Sequence, residues 1–545
     1  MKKIKYILGI AIGFGLLSFT NNYFQISKNL DIFSAFFKQI NTTYVDETDP
    51  SMLIRTGIDG MLKTIDPYTN YISESQIESY RLQNSEKITG FGLHFEMMDK
   101  IPVITDILKN LPAQKSGLQV GDKILAIDGK ATTGKDKEEI SISMRGQIGT
   151  TARLKIQTIA GVEKEIEVGR EEFHETNVPF YGMLTKEIGY INLKAFNQDA
   201  AKDVKEAFED LRKKNTTLNG LIIDLRGNPG GLLVDAVNIV NLFIEKNKVV
   251  VTTKGRVAEW NSTFKALNDP IDTKIPITVL TDSKSASASE IVSGSLQDYD
   301  RAIVVGQKTY GKGLVQVTKN LSYNTMLKVT TAKYYIPSGR CIQAIDYAEK
   351  NADGSVYKIP DSLKRQFTTA NGRKVWDGGG VDPDVAIPLV EQPPLVKSLL
   401  DNHIVFDFVS QYKLAHPTID SPAIFAISEK DFDDFVAFAK TKKYSYETET
   451  EKVLEKFQTI SKEEKYIEAV EATIKKIEEK LKKEKSDIYS QKAILKDIIE
   501  SQICGRYYAL PGKIEKSLQN DVATKKAIEL LKNPTKYNEI LAGKK

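Results

Sequence analysis

The spacing of hydrophobic positions divides the chain into helical ends and a strand-rich middle. Over residues 28–85, apolar side chains such as Ile32 and Phe36 recur every three to four positions, which predicts amphipathic helices. The same spacing returns over residues 395–545. Within that part, residues 451–490 hold 20 charged residues among 40, which indicates a solvated helix more than a binding surface.

The middle of the chain predicts two different sheet-containing segments. Residues 152–168 alternate apolar and polar side chains around Ala160 and Gly161, as a β-hairpin does. Farther on, short apolar runs alternate with amphipathic stretches such as Ala200–Lys214. The apolar runs are Leu221–Ile223, Ile277–Leu280 and Ala302–Val305. This alternation predicts an α/β layer around a largely buried sheet.

Composition excludes several classes of protein. A length of 545 residues, at about 150 residues per domain, predicts three or four folded units. The 76 basic and 72 acidic residues nearly balance, so no nucleic-acid partner is indicated. Two cysteines and four histidines argue against a disulfide scaffold, a multi-cysteine zinc site and a histidine-rich metal centre. We therefore expect neither a metal nor a cofactor.

The N-terminus resembles an export signal. Lys2, Lys3 and Lys5 precede Tyr6–Phe19, an uncharged and mostly apolar run of 14 residues that is short for a membrane span. No A-x-A cleavage pattern follows it. A cleaved signal peptide and an uncleaved anchor in the inner membrane both remain open for residues 1–20. In either case we expect export to the periplasm or cell envelope.

The first polar string that could carry chemistry follows the strand predicted at Leu221–Ile223. It is Asp224–Gly231, DLRGNPGG, which runs into a predicted helix at 232–242. Its adjacent glycines, Gly230 and Gly231, let the backbone approach a ligand and point an N–H at an oxyanion. A plain strand-to-helix turn is the alternative. The dinucleotide pattern G-x-G-x-x-G is absent.

The second string, Ser283–Gly294, is rich in serine. Ser287 and Glu290 fit the capping box S-x-x-E that opens a helix. A serine at a helix start is also exposed to the positive end of the helix dipole, with the next N–H free to donate. The structural and chemical interpretations are compatible. The chain has no G-x-S-x-G elbow, which excludes an ordinary α/β-hydrolase.

The third string, Gly306–Gln316, nearly matches a phosphate-binding P-loop. The motif requires Ser or Thr after the lysine and then a helix, whereas Lys312 is followed by Gly313 and a strand-like run. A nucleotide-binding ATPase is therefore a weak alternative.

The segment ahead of these strings resembles a PDZ domain. The resemblance rests on Gly90-Phe91-Gly92-Leu93 and on Ser116–Gly129, SGLQVGDKILAIDG. In a PDZ domain, successive N–H groups hold a C-terminal carboxylate while the bound tail adds a strand to the sheet edge. The resemblance implies that the four residues Gly90, Phe91, Gly92 and Leu93 bind substrate tails.

The three strings, in this order behind the PDZ-like segment, resemble the C-terminal processing peptidases, the tail-specific serine peptidases. The resemblance covers about residues 50–390 and includes Pro337–Arg340 and Gly378–Asp384. The residues to which it assigns roles are Ser287 as nucleophile, Lys312 as general base, Gln316 as the group that orients the lysine, and Gly230 and Ala288 as oxyanion-hole donors. All four histidines lie outside 180–390, which is consistent with a lysine base.

These observations predict a multi-domain α+β protein. Its parts would be a signal or anchor at 1–20, a helical N-terminal domain at 28–85, a β-rich PDZ domain at 86–172, an α/β peptidase core of the crotonase/ClpP type at 178–392 and a helical C-terminal domain at 395–545. We expect an exported serine endopeptidase that cleaves unfolded or C-terminally exposed proteins. A non-catalytic PDZ scaffold that binds C-termini is the alternative. The flanking helices are expected to form a homo-oligomer, most simply a dimer.

Overall fold

The computed structural model describes residues 2–83, 88–350, 356–485 and 487–544. The side chains of the predicted signal segment, residues 1–20, lie outside this description. Within the described residues, no helix combines the length and apolar character needed to cross a membrane. Contacts divide the chain into one unit of Met1–Ile77 with Gln316–Thr330, and a second unit of Glu78–Val315 with Thr331–Lys545.

The elements follow one another in the order that the hydrophobic pattern predicts. The helices are α1 (Lys2–Thr43), α2 (Pro50–Leu62), α3 (Glu74–Gln83), α4 (Pro112–Lys115), α5 (Lys137–Met144), α6 (Ala200–Lys214), α7 (Leu233–Asn241), α8 (Ala288–Asp298), α9 (Pro394–Asp401), α10 (Ile404–Ala415), α11 (Glu429–Lys440), α12 (Glu449–Glu463), α13 (Ile467–Lys485), α14 (Lys492–Leu518), α15 (Val522–Leu531) and α16 (Pro534–Leu541). The strands are β1 (Asn70–Ile72), β2 (Ile88–Gly90), β3 (Leu93–Met98), β4 (Ile101–Ile107), β5 (Lys123–Ile127), β6 (Lys130–Ala131), β7 (Thr151–Gln157), β8 (Glu163–Gly169), β9 (Glu171–Phe173), β10 (Phe180–Met183), β11 (Ile188–Asn192), β12 (Gly220–Asp224), β13 (Val249–Gly255), β14 (Ser262–Lys265), β15 (Ile277–Thr281), β16 (Ala302–Gly306), β17 (Leu314–Asn320), β18 (Met326–Tyr335), β19 (Ile345–Lys350), β20 (Val356–Lys358), β21 (Gln366–Thr368), β22 (Lys374–Trp376) and β23 (Val385–Ala386).

The first unit combines helices with a small antiparallel sheet. Helix α2 begins after Asp49, whose carboxylate accepts the N–H groups of Ser51 and Met52, and Pro50 occupies its first turn. Strand β1 pairs antiparallel with the first half of β18, which also pairs with β17.

The PDZ segment forms its own sheet within the second unit. The strand order is β3-β4-β5-β7-β8, so β3 lies at an edge of the described sheet. Strands β7 and β8 pair antiparallel with Leu154 opposite Ile166, which confirms the predicted hairpin. The core beneath them includes the fully buried Ile104 and Ile124. An open edge strand is what a bound peptide needs in order to add a further strand.

The main sheet of the second unit is largely parallel and buried. Its described strands follow the order β10-β11-β12-β15-β16-β23, with β10 antiparallel to β11 and the others parallel. Every residue of β11, β12, β15 and β16 is buried. Strands covered on both faces are continuous apolar runs, which explains the short runs seen in the sequence. The expected fold class is confirmed.

Helices cover the two faces of this sheet from different parts of the chain. Helices α6, α7 and α8 pack on one face around residues such as Phe208 and Val279. The C-terminal helices α15 and α16 pack on the other face, where Leu530 and Tyr537 contact residues such as Ile303. The Tyr537 hydroxyl lies 2.9 Å from both the N and the O of Ile277 on β15. The end of the chain therefore completes the core of the peptidase layer.

The remaining C-terminal helices form a separate hydrophobic cluster. Helices α9, α10, α11 and α14 contribute buried side chains such as Val405, Phe435 and Ile499. Helices α12 and α13 are mostly exposed, although Ile474 is buried, which agrees with the solvated helices predicted from the charge run. Helix α14 breaks at Ala509, where φ is 55° and ψ is −160°, close to Pro511.

Candidate active site

The double-glycine turn and the serine run meet at the carboxyl ends of β12 and β15. Asn228, which is fully buried, joins them. Its main-chain oxygen accepts the N–H of Ala286 at 3.0 Å and the hydroxyl of Ser289 at 2.9 Å. Its side-chain nitrogen donates to the carbonyl of Leu193 at 2.8 Å. One buried residue thus holds the turn against the start of α8.

The structure separates Ser285, Ser287 and Ser289, three serines of the run, by their environment. Ser285 and Ser289 are fully buried. The Ser285 hydroxyl donates to the carbonyl of Leu225 at 2.8 Å, and the Ser289 hydroxyl is held by Asn228. Ser287 is only half-buried, and its hydroxyl makes no capping hydrogen bond. Of the three, only Ser287 combines access to solvent with a hydroxyl that is not committed to a neighbouring carbonyl.

The backbone of Ser287 is held in an unusual conformation. Its φ is 55° and its ψ is −112°, a region that L-residues rarely occupy and that costs of order 1–3 kcal/mol. Such strain concentrates at functional sites, because the surrounding structure must hold the residue in place. In hydrolases a sharp, strained turn between strand and helix is also the geometry that exposes a serine nucleophile. Ser287 has that placement without the G-x-S-x-G sequence.

Gly230 lies directly against Ser287, and only glycine fits there. Its φ is +101°, and a β-carbon placed on it would lie 2.8 Å from Cβ of Ser287 and 2.9 Å from N of Ala288. The Gly230 N–H donates to Oδ1 of Asn228 at 2.9 Å. The predicted oxyanion-hole residues are therefore neighbours, but the N–H of Gly230 is engaged inside its own turn.

Glu290 links the start of α8 to the loop that carries Lys312. Its side chain is fully buried. Its Oε2 accepts the N–H of Ser287 at 2.9 Å and the N–H of Lys312 at 2.8 Å. Its Oε1 accepts the hydroxyl of Thr309 at 2.5 Å and the N–H of Gly311 at 2.7 Å. The carboxylate therefore fixes the main chains of both predicted catalytic residues.

Tyr334 makes the complementary contact to the same two residues. It is fully buried on β18, and its hydroxyl lies 3.0 Å from the carbonyl oxygen of Ser287 and 2.6 Å from that of Lys312. Burial raises the pKa of Tyr334 well above its ordinary value, so the hydroxyl keeps its proton and donates. Glu290 holds the N–H groups and Tyr334 the carbonyls, so the two side chains clamp Ser287 and Lys312 together.

The structure places the other predicted site residues on defined elements. Lys312 is half-buried in the loop between β16 and β17. Gln316 lies on β17, where its Nε2 donates to Oγ1 of Thr330 at 3.1 Å. The role of Gln316 in orienting the lysine stays a prediction.

The PDZ segment presents a groove where a peptide tail is expected. A cavity of about 260 Å³ is lined by the predicted loop, including Gly90 and Leu93, and by Lys137 and Met144 of α5. The Phe91 side chain is buried, and its carbonyl accepts the N–H of Ala113 at 2.8 Å. The groove therefore lies between edge strand β3 and helix α5, as a strand-adding peptide requires.

Sequence reasoning assigned Glu290 only a local role and did not identify Tyr334. The S-x-x-E spacing predicted a mutual cap, and Glu290 forms its side of that cap by accepting the Ser287 N–H at 2.9 Å. An acidic residue beside a candidate nucleophile was the available signal for Glu290; no local pattern marks Tyr334.

Replacing Glu290 by glutamine should lower activity. The amide offers one acceptor in place of two, so its NH₂ must face either the N–H groups of Ser287 and Lys312 or the donors of Thr309 and Gly311. Two unsatisfied buried donors at about 1 kcal/mol each predict a roughly 10- to 100-fold loss of kcat/KM on unfolded casein. Glu245→Gln, at an exposed position, is the control. Wild-type kcat/KM in a folded Glu290→Gln enzyme would contradict the clamp.

Glu290 should also make stability depend on pH. Burial raises its pKa from 4.5 to about 7, although its four hydrogen-bond donors oppose that rise. Between those two values the folded protein holds a proton that the unfolded chain has released. The free energy of unfolding should therefore fall, as pH rises through this window, by about 3 kcal/mol from this group. Urea unfolding at pH 5 and pH 8 measures the change, and Glu290→Gln should lack this contribution. The same slope in wild type and variant would assign it to other groups.

Comparison with known proteins places these features in one family. The family model described as "Peptidase family S41" matches residues 187–352, a PDZ-domain model matches 103–158, and "Probable PDZ-protease, C-terminal helical domain" matches 395–531. These matches correspond to the peptidase core, the PDZ segment and the C-terminal helices.

Individual relatives have names that agree with these family matches. A "Carboxy-terminal-processing protease" of Bartonella bacilliformis is 36% identical over 354 residues, covering 63% of this chain and 80% of that protein. A "Probable CtpA-like serine protease" of Staphylococcus aureus is 34% identical over 318 residues, covering 58% of this chain and 63% of that protein. Among solved structures, a photosystem II D1 C-terminal processing protease aligns at 22% identity with a TM-score of 0.36, covering 64% of this chain and 91% of the other. The chain belongs to the carboxy-terminal-processing proteases, PDZ-containing serine peptidases of family S41.

Proposed function

We propose that the chain is a serine endopeptidase in which Ser287 is the nucleophile and Lys312 the general base. The observation that carries the proposal is the clamp: Oε2 of Glu290 binds the N–H groups of both residues, and the Tyr334 hydroxyl lies beside both carbonyls. The strained, half-buried position of Ser287 supports the same assignment.

In the proposed reaction, the neutral amine of Lys312 takes the proton of Ser287 as Oγ attacks the scissile carbonyl carbon. The oxyanion of the tetrahedral intermediate accepts the N–H of Ala288, which opens α8 and has no partner within the helix. A second donor is proposed from the double glycine, and the N–H of Gly230 would have to leave Asn228 to serve. Collapse breaks the peptide bond, and Lys312 returns its proton to the departing amine. Water, deprotonated by Lys312, then hydrolyses the acyl-enzyme.

Labelling with a serine-reactive fluorophosphonate tests this assignment. The full-length protein should form one covalent adduct that peptide mapping places on Ser287, and it should degrade unfolded casein. A PDZ scaffold without catalytic function would bind C-terminal peptides but neither take the label nor cleave casein. An adduct on another residue would overturn the assignment of the nucleophile.

We also propose that the groove between β3 and α5 recognises the C-terminal tails of substrates. The PDZ family match and the open edge of β3 support this proposal. A peptide with a free apolar C-terminus should bind at least tenfold more tightly than its amidated form, because amidation removes the carboxylate that the Gly90–Leu93 loop would hold. Fluorescence anisotropy measures both affinities. Equal affinity for the free and amidated peptides would show that the Gly90–Leu93 loop does not bind the carboxylate.

Export and self-association are further proposals. The apolar run Tyr6–Phe19 supports export, either with cleavage or as an inner-membrane anchor. N-terminal sequencing of the protein recovered from the cell envelope would distinguish these two outcomes. The helices outside the catalytic strings support a dimer, and light scattering that shows a fully active monomer would remove that idea.

A further inference from the structure

A cavity distinct from the proposed catalytic site lies between the PDZ sheet and the C-terminal helices. Its volume is about 350 Å³, within the range of small-molecule sites. Strand β4 contributes Thr105 and Asp106 to its wall. The helical side contributes His403, which precedes α10, and Gln502, Arg506 and Lys513 of α14. Donors therefore outnumber acceptors among the polar side chains of this cavity.

Arg506 is incompletely satisfied where it lines the cavity. Its Nε is buried and has no hydrogen-bond partner. Its Nη2 donates to Oγ of Ser410 at 3.3 Å, and its guanidinium lies 4.3 Å from the ring centroid of Phe406. Within the described part of the chain, no carboxylate forms an ion pair with it at 4.0 Å or less. Burial lowers the pKa of Arg506 to about 10, and the nearby carboxylate of Asp106 offsets only part of that shift.

Lys513 is a second cation that lines the cavity, at a position exposed to solvent. Burial and the neighbouring Arg506 lower the pKa of Lys513, and Lys194 lowers it further. Among the described residues, Asp106 is the carboxylate that acts on both cations, and it raises both pKa values. Asp106 already accepts the N–H of Ile107 at 3.0 Å. One carboxylate thus faces at least two positive charges around this cavity.

Burying a cation without a partner, as at Nε of Arg506, is costly, and the cost falls sharply when an anion completes the pairing. Arginine suits tetrahedral oxyanions because its N–H groups form a rigid fork, and lysine adds a point charge. The break in α14 at Ala509, a non-glycine residue at φ 55°, lies between Arg506 and Lys513 along the helix. The same helix segment therefore carries strain as well as the charge excess.

We propose that this cavity binds a small tetrahedral oxyanion of the phosphate type, held by Arg506 and Lys513 and flanked by Gln502. The cavity walls come from the PDZ sheet and from the helices, so the bound anion ties the PDZ segment to the helical domain. This site is independent of the proposed peptidase chemistry and requires no catalytic turnover for its detection.

Inorganic phosphate is the probe. Isothermal titration calorimetry of the full-length protein should show saturable binding of phosphate in a background of sodium chloride at matched ionic strength. Arg506→Gln and Lys513→Gln should each weaken binding at least tenfold, whereas Lys480→Gln, at an exposed position of α13, should leave it unchanged. A parallel titration with glycerol phosphate distinguishes two sources of the anion. Tighter binding of inorganic phosphate indicates free phosphate, and tighter binding of glycerol phosphate indicates a phosphorylated small molecule or headgroup.

Asp106→Asn keeps the test decisive if a cation variant fails to fold. Removing the one opposing carboxylate should strengthen phosphate binding several-fold, a result that damage to the fold would not produce. Phosphate heat indistinguishable from that of chloride would overturn the proposal. Unchanged affinity in folded Arg506→Gln, or weaker binding in folded Asp106→Asn, would do the same.

Discussion

Ser287→Ala should eliminate casein cleavage, with kcat/KM falling by roughly 10⁴-fold or more, because the variant lacks the attacking oxygen. Stability should change little, since the Ser287 hydroxyl makes no capping hydrogen bond. Steady-state cleavage and urea unfolding measure the two effects on the same preparations.

The neighbouring serines supply matched controls for this prediction. Ser285→Ala and Ser289→Ala each remove a buried hydrogen bond, to Leu225 and Asn228 respectively, at a cost of about 1 kcal/mol. They should lower stability more than Ser287→Ala does while retaining measurable cleavage. A folded Ser287→Ala enzyme that still degrades casein, beside an inactive Ser285→Ala or Ser289→Ala enzyme, would move the nucleophile to another position in the run.

Lys312→Arg should be as inactive as Lys312→Ala. A general base must be neutral to accept the Ser287 proton, and a guanidinium stays protonated at any pH at which the protein is folded. An ordinary lysine, with a pKa of about 10.4, would also be almost fully charged near neutral pH, so the proposed mechanism requires the protein to lower that value. Lys312→His should recover little activity because its side chain is shorter.

The pH dependence of kcat/KM tests the same base. Activity should rise with pH as Lys312 loses its proton and then level off, and release of the Glu290 proton near pH 7 should contribute to the rise. Lys308→Arg is the matched control, because Lys308 lies in the same loop but pairs with Asp382 at 2.9 Å on the surface. That variant should keep wild-type activity. An active Lys312→Arg enzyme would contradict the lysine-base mechanism.

The elements of the fold could largely be predicted from local patterns. Strands β12, β15 and β16 are short apolar runs because both faces of a parallel sheet are covered, and the predicted helix Ala200–Lys214 coincides with α6. The hairpin of β7 and β8 follows from strict alternation around a glycine turn. These elements are set by residues that are close together along the chain, which is why they can be predicted from a single sequence.

The packing of the chain end could not be predicted in this way. The sequence indicates helices from residue 395 onward, but nothing local indicates that α15 and α16 cover one face of the main sheet. Their amphipathic stripes predict that each helix packs against an apolar surface, but they do not specify which surface that is. The surface that these helices cover is determined by complementarity between segments that are distant in sequence.

By itself, the sequence determined the order of the elements, the family resemblance and the short strings that contain Ser287 and Lys312. The family resemblance selects Ser287, but only the tertiary structure shows how it differs physically from its buried neighbours. The tertiary structure also bound Glu290 to Thr309 and Gly311, and placed Tyr334 beside both main-chain carbonyls. It also engaged the N–H of Gly230 with Asn228. Hydrogen bonds and burial depend on atoms brought together from distant strings, so no local spacing encodes them.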